Sequence, residues 1–301
     1  MRMAQDAPQG ERGAPRVDPQ SISVDDLPRY SKWPAILLGA EQFLVRRRTR
    51  EEVLREYDRE KWGPVMAWLK TQSEVTADDL LRVQGWDPEQ IVVFANSGSL
   101  LAASTRVVTE TYVRLLINTL RPHHPEVLVE LGSGLGDKLL TVARALQPRV
   151  VYGGEFTSSG VECGRLLADL SGTVARFEHF DYESPQTLEE VPKDAVVYTS
   201  HSIEQIPTLD DSFVHGLIRR APRLVVHFEP CYDDQDDKTL IGLMRRRYIE
   251  LNDYNRNLLG LLRSFEKVGQ IRLLEHRPCV FGGQPFNPTS IIVWSPDREC
   301  A

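Results

Sequence analysis

The sequence predicts an α/β protein: a mostly parallel sheet covered by helices on both faces, preceded by a helical appendage. Three observations lead there. Short apolar runs alternate with helical segments from about residue 100 onward, the links between them are short, and a glycine-rich turn follows the first run. A length of 301 residues suits one large domain plus an appendage. The chain is 41% hydrophobic and 26% charged, an ordinary globular balance. Its formal net charge of -7 argues against a nucleic-acid clamp.

Residues 1-24 are polar and rich in Pro and Gly, without the apolar centre of a signal peptide, and are expected to form a disordered tail. Residues 25-98 carry helical patterning with no clear strand series. Thr49 before Glu51-Glu52 and Thr76 before Asp78-Asp79 both have the form of helix starts. Arg46-Arg47-Arg48 is followed by Glu51, Glu52 and Glu56, which suggests a solvated helix face with compensating charge. Trp33, Trp62, Trp68 and Trp86 all fall here, more apolar surface than a small appendage buries alone. The section is therefore expected to cap a pocket and to take part in a homodimer.

Residues 99-301 read as the sheet domain. A helix is expected from Leu101 to Leu120, then strands at 127-131, 149-155, 174-182, 195-199 and 224-228 with helices between them. A long helix from Asp237 to Val268 and strands at 271-274 and 290-294 complete seven strands, the last antiparallel because no helix separates it from its neighbour. No apolar run reaches about eighteen residues, so no membrane span is expected. The four cysteines, Cys163, Cys231, Cys279 and Cys300, lie far apart with no metal spacing. They suggest free thiols in a reducing cytoplasm and no metal site.

The densest signal is Val127-Leu-Val-Glu-Leu-Gly-Ser-Gly-Leu-Gly136, a buried strand entering a turn with glycines at 132, 134 and 136. The spacing is GxGxG, whereas the dinucleotide fingerprint needs GxGxxG, and Asp137 stands at the helix start where a pyrophosphate would be repelled. These residues resemble the first motif, E/D-x-G-x-G-x-G, of class I S-adenosylmethionine-dependent methyltransferases. The resemblance spans roughly residues 100 to 295 and implies a Rossmann-like seven-stranded sheet with S-adenosylmethionine as cofactor. It implies that Glu130 helps hold the cofactor's amino-acid end while Gly132, Ser133, Gly134 and Gly136 pack against it. Glu155, ending the second strand, would accept the ribose hydroxyls, a task carboxylates perform well. Phe156 would cover the adenine, and Asp181, with Tyr182 beside it, would meet the adenine amino group.

Ligands in such sheets lie outside the carboxyl ends of the strands, so the acceptor pocket should be walled by Ser200-His201-Ser202-Ile203-Glu204-Gln205 and by His227-Phe228-Glu229-Pro230. Tyr248 and Asn252 on the long helix are further candidates for the substrate wall, or else belong to an ordinary amphipathic helix. Glu204 and Glu229 facing one pocket would suit a planar guanidinium. That pair resembles the paired glutamates of arginine methyltransferases, with a departure: there both acids lie in one loop, and here they lie in two. The β-barrel domain and the threonine-histidine-tryptophan loop of that family are missing, which points to a small amino-acid-like cation such as free arginine, as in natural-product methyltransferases. Either glutamate could instead cap a helix or pair with a surface arginine. Two other readings stay open: oxygen methylation of a hydroxylated metabolite or sugar with His201 as base, and a non-catalytic scaffold that binds the cofactor.

Overall fold

The computed structural model describes residues 19–297. Most of the expected tail and Cys300 lie outside these residues, but the chain is already paired at β1 (Gln20–Ile22). α1 (Trp33–Leu37) follows, then α2 (Arg50–Leu54), which Thr49 starts by accepting a hydrogen bond from the Glu52 amide. The helix widens into π-type turns over Arg55–Trp62 and tightens again into α3 (Gly63–Leu69). α4 (Ala77–Val83) starts at Thr76, which forms a capping box with Asp79.

The expectation of an all-helical cap fails next. Ile91–Asn96 and Ser99–Ser104 form a hairpin, β2 and β3, and the turn between them crosses the position where the domain boundary was expected. The expected helix from Leu101 starts later, as α5 (Thr105–Leu120), because the Ser104 hydroxyl caps it by accepting from the Val107 amide. The alternating part then runs β4 (Val127–Leu131), α6 (Asp137–Leu146), β5 (Val150–Glu155), α7 (Ser158–Ser171), β6 (Arg176–His179), β7 (Val196–Ser200), α8 (Asp211–Arg220) and β8 (Leu224–Pro230). Instead of one long helix there are two, α9 (Leu240–Leu251) and α10 (Leu258–Lys267). Asp253 sits at φ 51° between them, and the Asn255 side chain accepts from the Leu258 amide at the start of α10. The chain closes with β9 (Ile271–Gly282) and β10 (Thr289–Pro296).

Among the described residues the sheet has ten strands in the order β1-β3-β2-β9-β10-β8-β7-β4-β5-β6, not seven. The five strands from β8 to β6 in that order are parallel. β10 pairs antiparallel with β9, as expected, and also antiparallel with β8, so that it lies between the two. The three additional strands come from the amino-terminal section. β2 pairs with the far end of β9 through Ala95↔Gly282 and Asn96↔Phe281, which covers an edge that would otherwise be open. β4 lies between β5 and β7, so the chain reverses direction across the sheet there and leaves a crevice at the carboxyl ends of these strands.

One ring sets how closely α7 and the turn into α6 pack beside that crevice. Phe177 on β6 is buried under the glycine turn, and a Cβ at Gly136, itself at φ +80°, would lie 2.5 Å from the ring. Gly136→Ala therefore combines backbone strain with overpacking, each of order 1–3 kcal/mol. Urea unfolding should show a loss of about 2 kcal/mol or more. An unchanged midpoint would mean that the turn has another low-energy path.

Candidate active site

A cavity of about 750 Å³ opens at the crevice, and the sequence-derived residues distribute around it unevenly. Glu130, Gly132, Ser133, Gly134, Glu155, Phe156, Asp181, Tyr182, Ser200, His201, Ser202, Glu204 and Tyr248 line it. Gly136, Glu229 and Asn252 do not. Gly136 shapes the turn from behind. Asn252 is 2% exposed and turns its amide onto the Tyr248 carbonyl of its own helix, so it belongs to the fold and not to the wall.

The glycine turn is a backbone cradle. Gly132, Gly134 and Gly136 all have positive φ, and a Cβ on Gly132 would meet Ser202 at 2.3 Å. Glu155 holds the turn by accepting from the Gly134 amide at 2.9 Å and from the Thr157 amide and hydroxyl. Glu130 is buried and accepts from the Tyr198 hydroxyl at 2.9 Å. Burial pushes its carboxyl up to about 8, against the opposing pull of Lys138 and that hydrogen bond. Above Gly134 stands Trp62, whose ring carbon would be 3.5 Å from a Cβ there. The Trp62 indole nitrogen and the Ser133 hydroxyl are both buried without a partner. Such orphans cost about 1–3 kcal/mol each unless something meets them. Acids at three successive strand ends, a bare cradle and unmet polar atoms together fit a ligand with an ammonium, ribose hydroxyls and an adenine.

Arg50 was not legible as a site residue. Its guanidinium stacks on Phe156, 4.6 Å from the ring centre, and donates to Asp181, so the start of α2 covers the place where the resemblance puts the adenine. The neighbouring basic patch is not simply solvated either. The Arg48 side chain is buried, pairs with Glu56 at 2.6 Å and donates to the Asn252 carbonyl at 3.3 Å. Trp62 and Trp86 line the cavity, while Trp33 packs on Phe43 and Tyr248.

The two glutamates part company. Glu229 lies inside β8, opposite Ser290 of β10, not on a loop. It is 1% exposed and accepts from the backbone amides of Ser202 and Ile203 at 3.0 and 3.2 Å and from the Ser202 hydroxyl. Burial raises its carboxyl to about 7. Its task is to hold the loop after β7, and the expected carboxylate pair across the pocket does not form. Glu204 does line the cavity, where it accepts from His201 at 2.9 Å, from the Gln205 amide at 2.9 Å and from the Asn287 amide at 2.8 Å. The other His201 nitrogen is bonded to the Thr289 hydroxyl at 2.6 Å, so both ring nitrogens are engaged. Burial alone would depress the His201 pKa, but the charges of Glu204 and Glu229 outweigh it and raise the value. A histidine base would have to leave Thr289 first. Tyr57, Tyr112, Tyr248 and Tyr254 supply the aromatic wall on this side.

The sequence matches no protein-family model and no curated protein. Solved structures do match. The magnesium protoporphyrin IX methyltransferase of Synechocystis PCC 6803, with bound S-adenosylhomocysteine, aligns over 82% of this chain and 100% of its own at a TM-score of 0.52 and 13% identity. The fold is that of the class I methyltransferases. The plantazolicin methyltransferase, in complex with a triazolic desmethylPZN analog and S-adenosylhomocysteine, aligns over 64% of this chain and 91% of its own at 0.45 and 12% identity. Among the described residues no helix is long and apolar enough to cross a membrane, and no His/Cys/Asp/Glu group is arranged to hold a metal.

The buried acids have a consequence for stability. Glu130 titrates near 4.5 when unfolded and near 8 when folded, so the folded chain binds more protons between those values. Stability must then fall as pH rises through that window and level off above it. Glu229 acts in the same direction up to about 7. The urea midpoint should drop from pH 5 to pH 8, and Glu130→Gln should flatten part of the drop. An identical decline in the variant would show that Glu130 carries no proton in the folded chain.

Proposed function

We propose that this chain is an S-adenosylmethionine-dependent methyltransferase acting on a small molecule, with a nitrogen of a cationic, amino-acid-like compound as acceptor. The observation that carries the reading is the meeting, in one cavity, of the glycine cradle and its strand-end acids with the buried carboxylate of Glu204. S-adenosylmethionine, when bound, supplies a methyl group already activated by its sulfonium. Glu130 would take the cofactor's ammonium, Glu155 the ribose hydroxyls, and Phe156 with Asp181 the adenine. Asp181 would have to share or release Arg50.

What the chain must then supply is alignment. Holding the reacting atoms in line is worth about 7–11 kcal/mol in favourable cases. The amino-terminal section, through Tyr57, Trp62 and Trp86, narrows the crevice into a partly open cavity that suits a small acceptor. Glu204 would hold the acceptor nitrogen by its N–H groups and receive the proton that the nitrogen gives up on methylation. His201 would position Glu204 through the bond between them. The guanidino group of free arginine, or of a related amino acid in natural-product biosynthesis, is the finer form of this reading, with Glu204 now working without Glu229.

Calorimetry should give S-adenosylhomocysteine binding and none for NAD. Glu155→Ala should weaken that binding by tenfold or more, since charge-assisted hydrogen bonds contribute about 1.5–3 kcal/mol each. Unchanged affinity would remove Glu155 from the site. In a tritium-methyl transfer assay against amino acids and guanidino compounds, Glu204→Gln should lose about two powers of ten in turnover while keeping the cofactor. His201→Ala should lose less. An inactive His201→Ala beside an active Glu204→Gln would favour oxygen methylation instead.

A further inference from the structure

Two polar residues on the acceptor side are left half-used by the fold. Gln205 follows Glu204, and Asn287 lies in the link before β10, brought in from 83 residues away. They are 9% and 6% exposed, and both line the cavity. Each donates its amide nitrogen to a different oxygen of Glu204, at 2.9 and 2.8 Å. That donation decides which way each amide faces, because a flipped amide would set its carbonyl oxygen against a carboxylate. The remaining atoms, Gln205 Oε1 and Asn287 Oδ1, are buried and without a partner.

A pair of oriented, unsatisfied acceptors flanking one carboxylate asks for hydrogen-bond donors. Glu204 has room for about one more donor after the three it holds, since an ionised carboxylate has about four acceptor positions. A hydroxyl brings one donor, whereas an ammonium brings three and a guanidinium five. Tyr57, Tyr248 and Tyr254, whose hydroxyls all sense the Glu204 charge, line the same cavity, with Lys61 already over the Tyr57 ring at 3.9 Å and Arg48 over the Tyr254 ring at 5.1 Å. Resting on the methyltransferase reading above, we propose that Gln205 and Asn287 are specificity residues. Together with Glu204 they recognise a protonated nitrogen group of the acceptor by its several N–H donors.

The proposal separates charge from hydrogen-bond count, and a set of small probes tests both. The full chain, saturated with S-adenosylhomocysteine, is titrated with butylammonium, butylguanidinium, butyltrimethylammonium and 1-butanol. One or both of the first two should bind at least tenfold more tightly than the trimethylated cation, which has the charge but no N–H, and than the alcohol. Which of the two binds better tells an amine acceptor from a guanidino one. Gln205→Met and Asn287→Leu should each cut the preference for N–H donors by about tenfold and leave S-adenosylhomocysteine affinity within twofold. A residue that only braced Glu204 would lower the binding of every cation alike and keep the preference. Equal binding of the trimethylated cation, a preference that survives both substitutions, or no binding of either N–H probe at millimolar concentration would each overturn the proposal. Failure of the wild-type chain to bind S-adenosylhomocysteine would instead overturn the methyltransferase reading.

Discussion

The backbone amides of Ser202 and Ile203 converge on the carboxylate of Glu229, and the cavity depends on that convergence. The loop after β7 has to leave the sheet, turn sharply and still bury its polar groups, a combination that fails if its N–H groups lack partners. Glu229, held in the β8–β10 ladder opposite Ser290 one residue before β8 ends, is a rigid partner for them. With the loop so held, His201 is kept at φ 51°, a costly conformation for a residue with a side chain. Ser202 is pressed against Gly132, and Glu204 is delivered to the cavity. Burying an acid in this way carries a desolvation cost, visible in its raised pKa. The cost is offset by the ordering of a whole wall.

A second carboxylate does the corresponding work on the cofactor side. Glu155 accepts from Gly134 across the mouth of the turn and from Thr157 at the start of α7. The cradle is thus preformed, not gathered by a ligand. Preorganised sites bind with less ordering to be done at the moment of association. Both walls therefore rest on one device, an acid at a strand end taking backbone amides from a neighbouring turn. Glu204 differs because its partners are the side chains of His201, Gln205 and Asn287.

How much of this was legible follows from the range of the interactions involved. The glycine turn, Glu130 and Glu155 belong to strand–turn–helix units whose chemistry is local, and the residue pattern alone pointed to them. The helix starts at Thr76 and Thr49 were legible for the same reason. The hairpin β2–β3 was missed because Leu and Ala in Ser99–Ser104 also favour helix, and β9 decides the matter from far along the chain. Glu229 was placed on a loop because periodicity does not mark where a buried strand stops. Arg50 meets Asp181 across 131 residues and Asn287 meets Glu204 across 83, distances over which spacing carries no information.

The amino-terminal section adds to the cavity walls that the parallel core does not supply. In this chain the strap from Arg46 to Arg50 is tied at one end to the α9–α10 link, with the Arg46 amide on the Leu251 carbonyl and the Arg48 amide on Asp253. At the other end Arg50 meets Asp181 and Phe156. One short segment thus links the α9–α10 side of the cavity to the side of Asp181 and Phe156, and the two cannot move independently while both attachments hold. Its continuation through the π-type turns brings Tyr57 and Trp62 over the cavity, and widened turns of this kind recur where a helix must present side chains off its regular face. The parallel core holds the cradle, and the loop after β7 joins Tyr57, Trp62 and Trp86 of the amino-terminal section in lining the space beside it. On the proposed reading the space beside the cradle is shaped by Tyr57, Gln205 and Asn287, none of which belongs to the motif that reveals the fold.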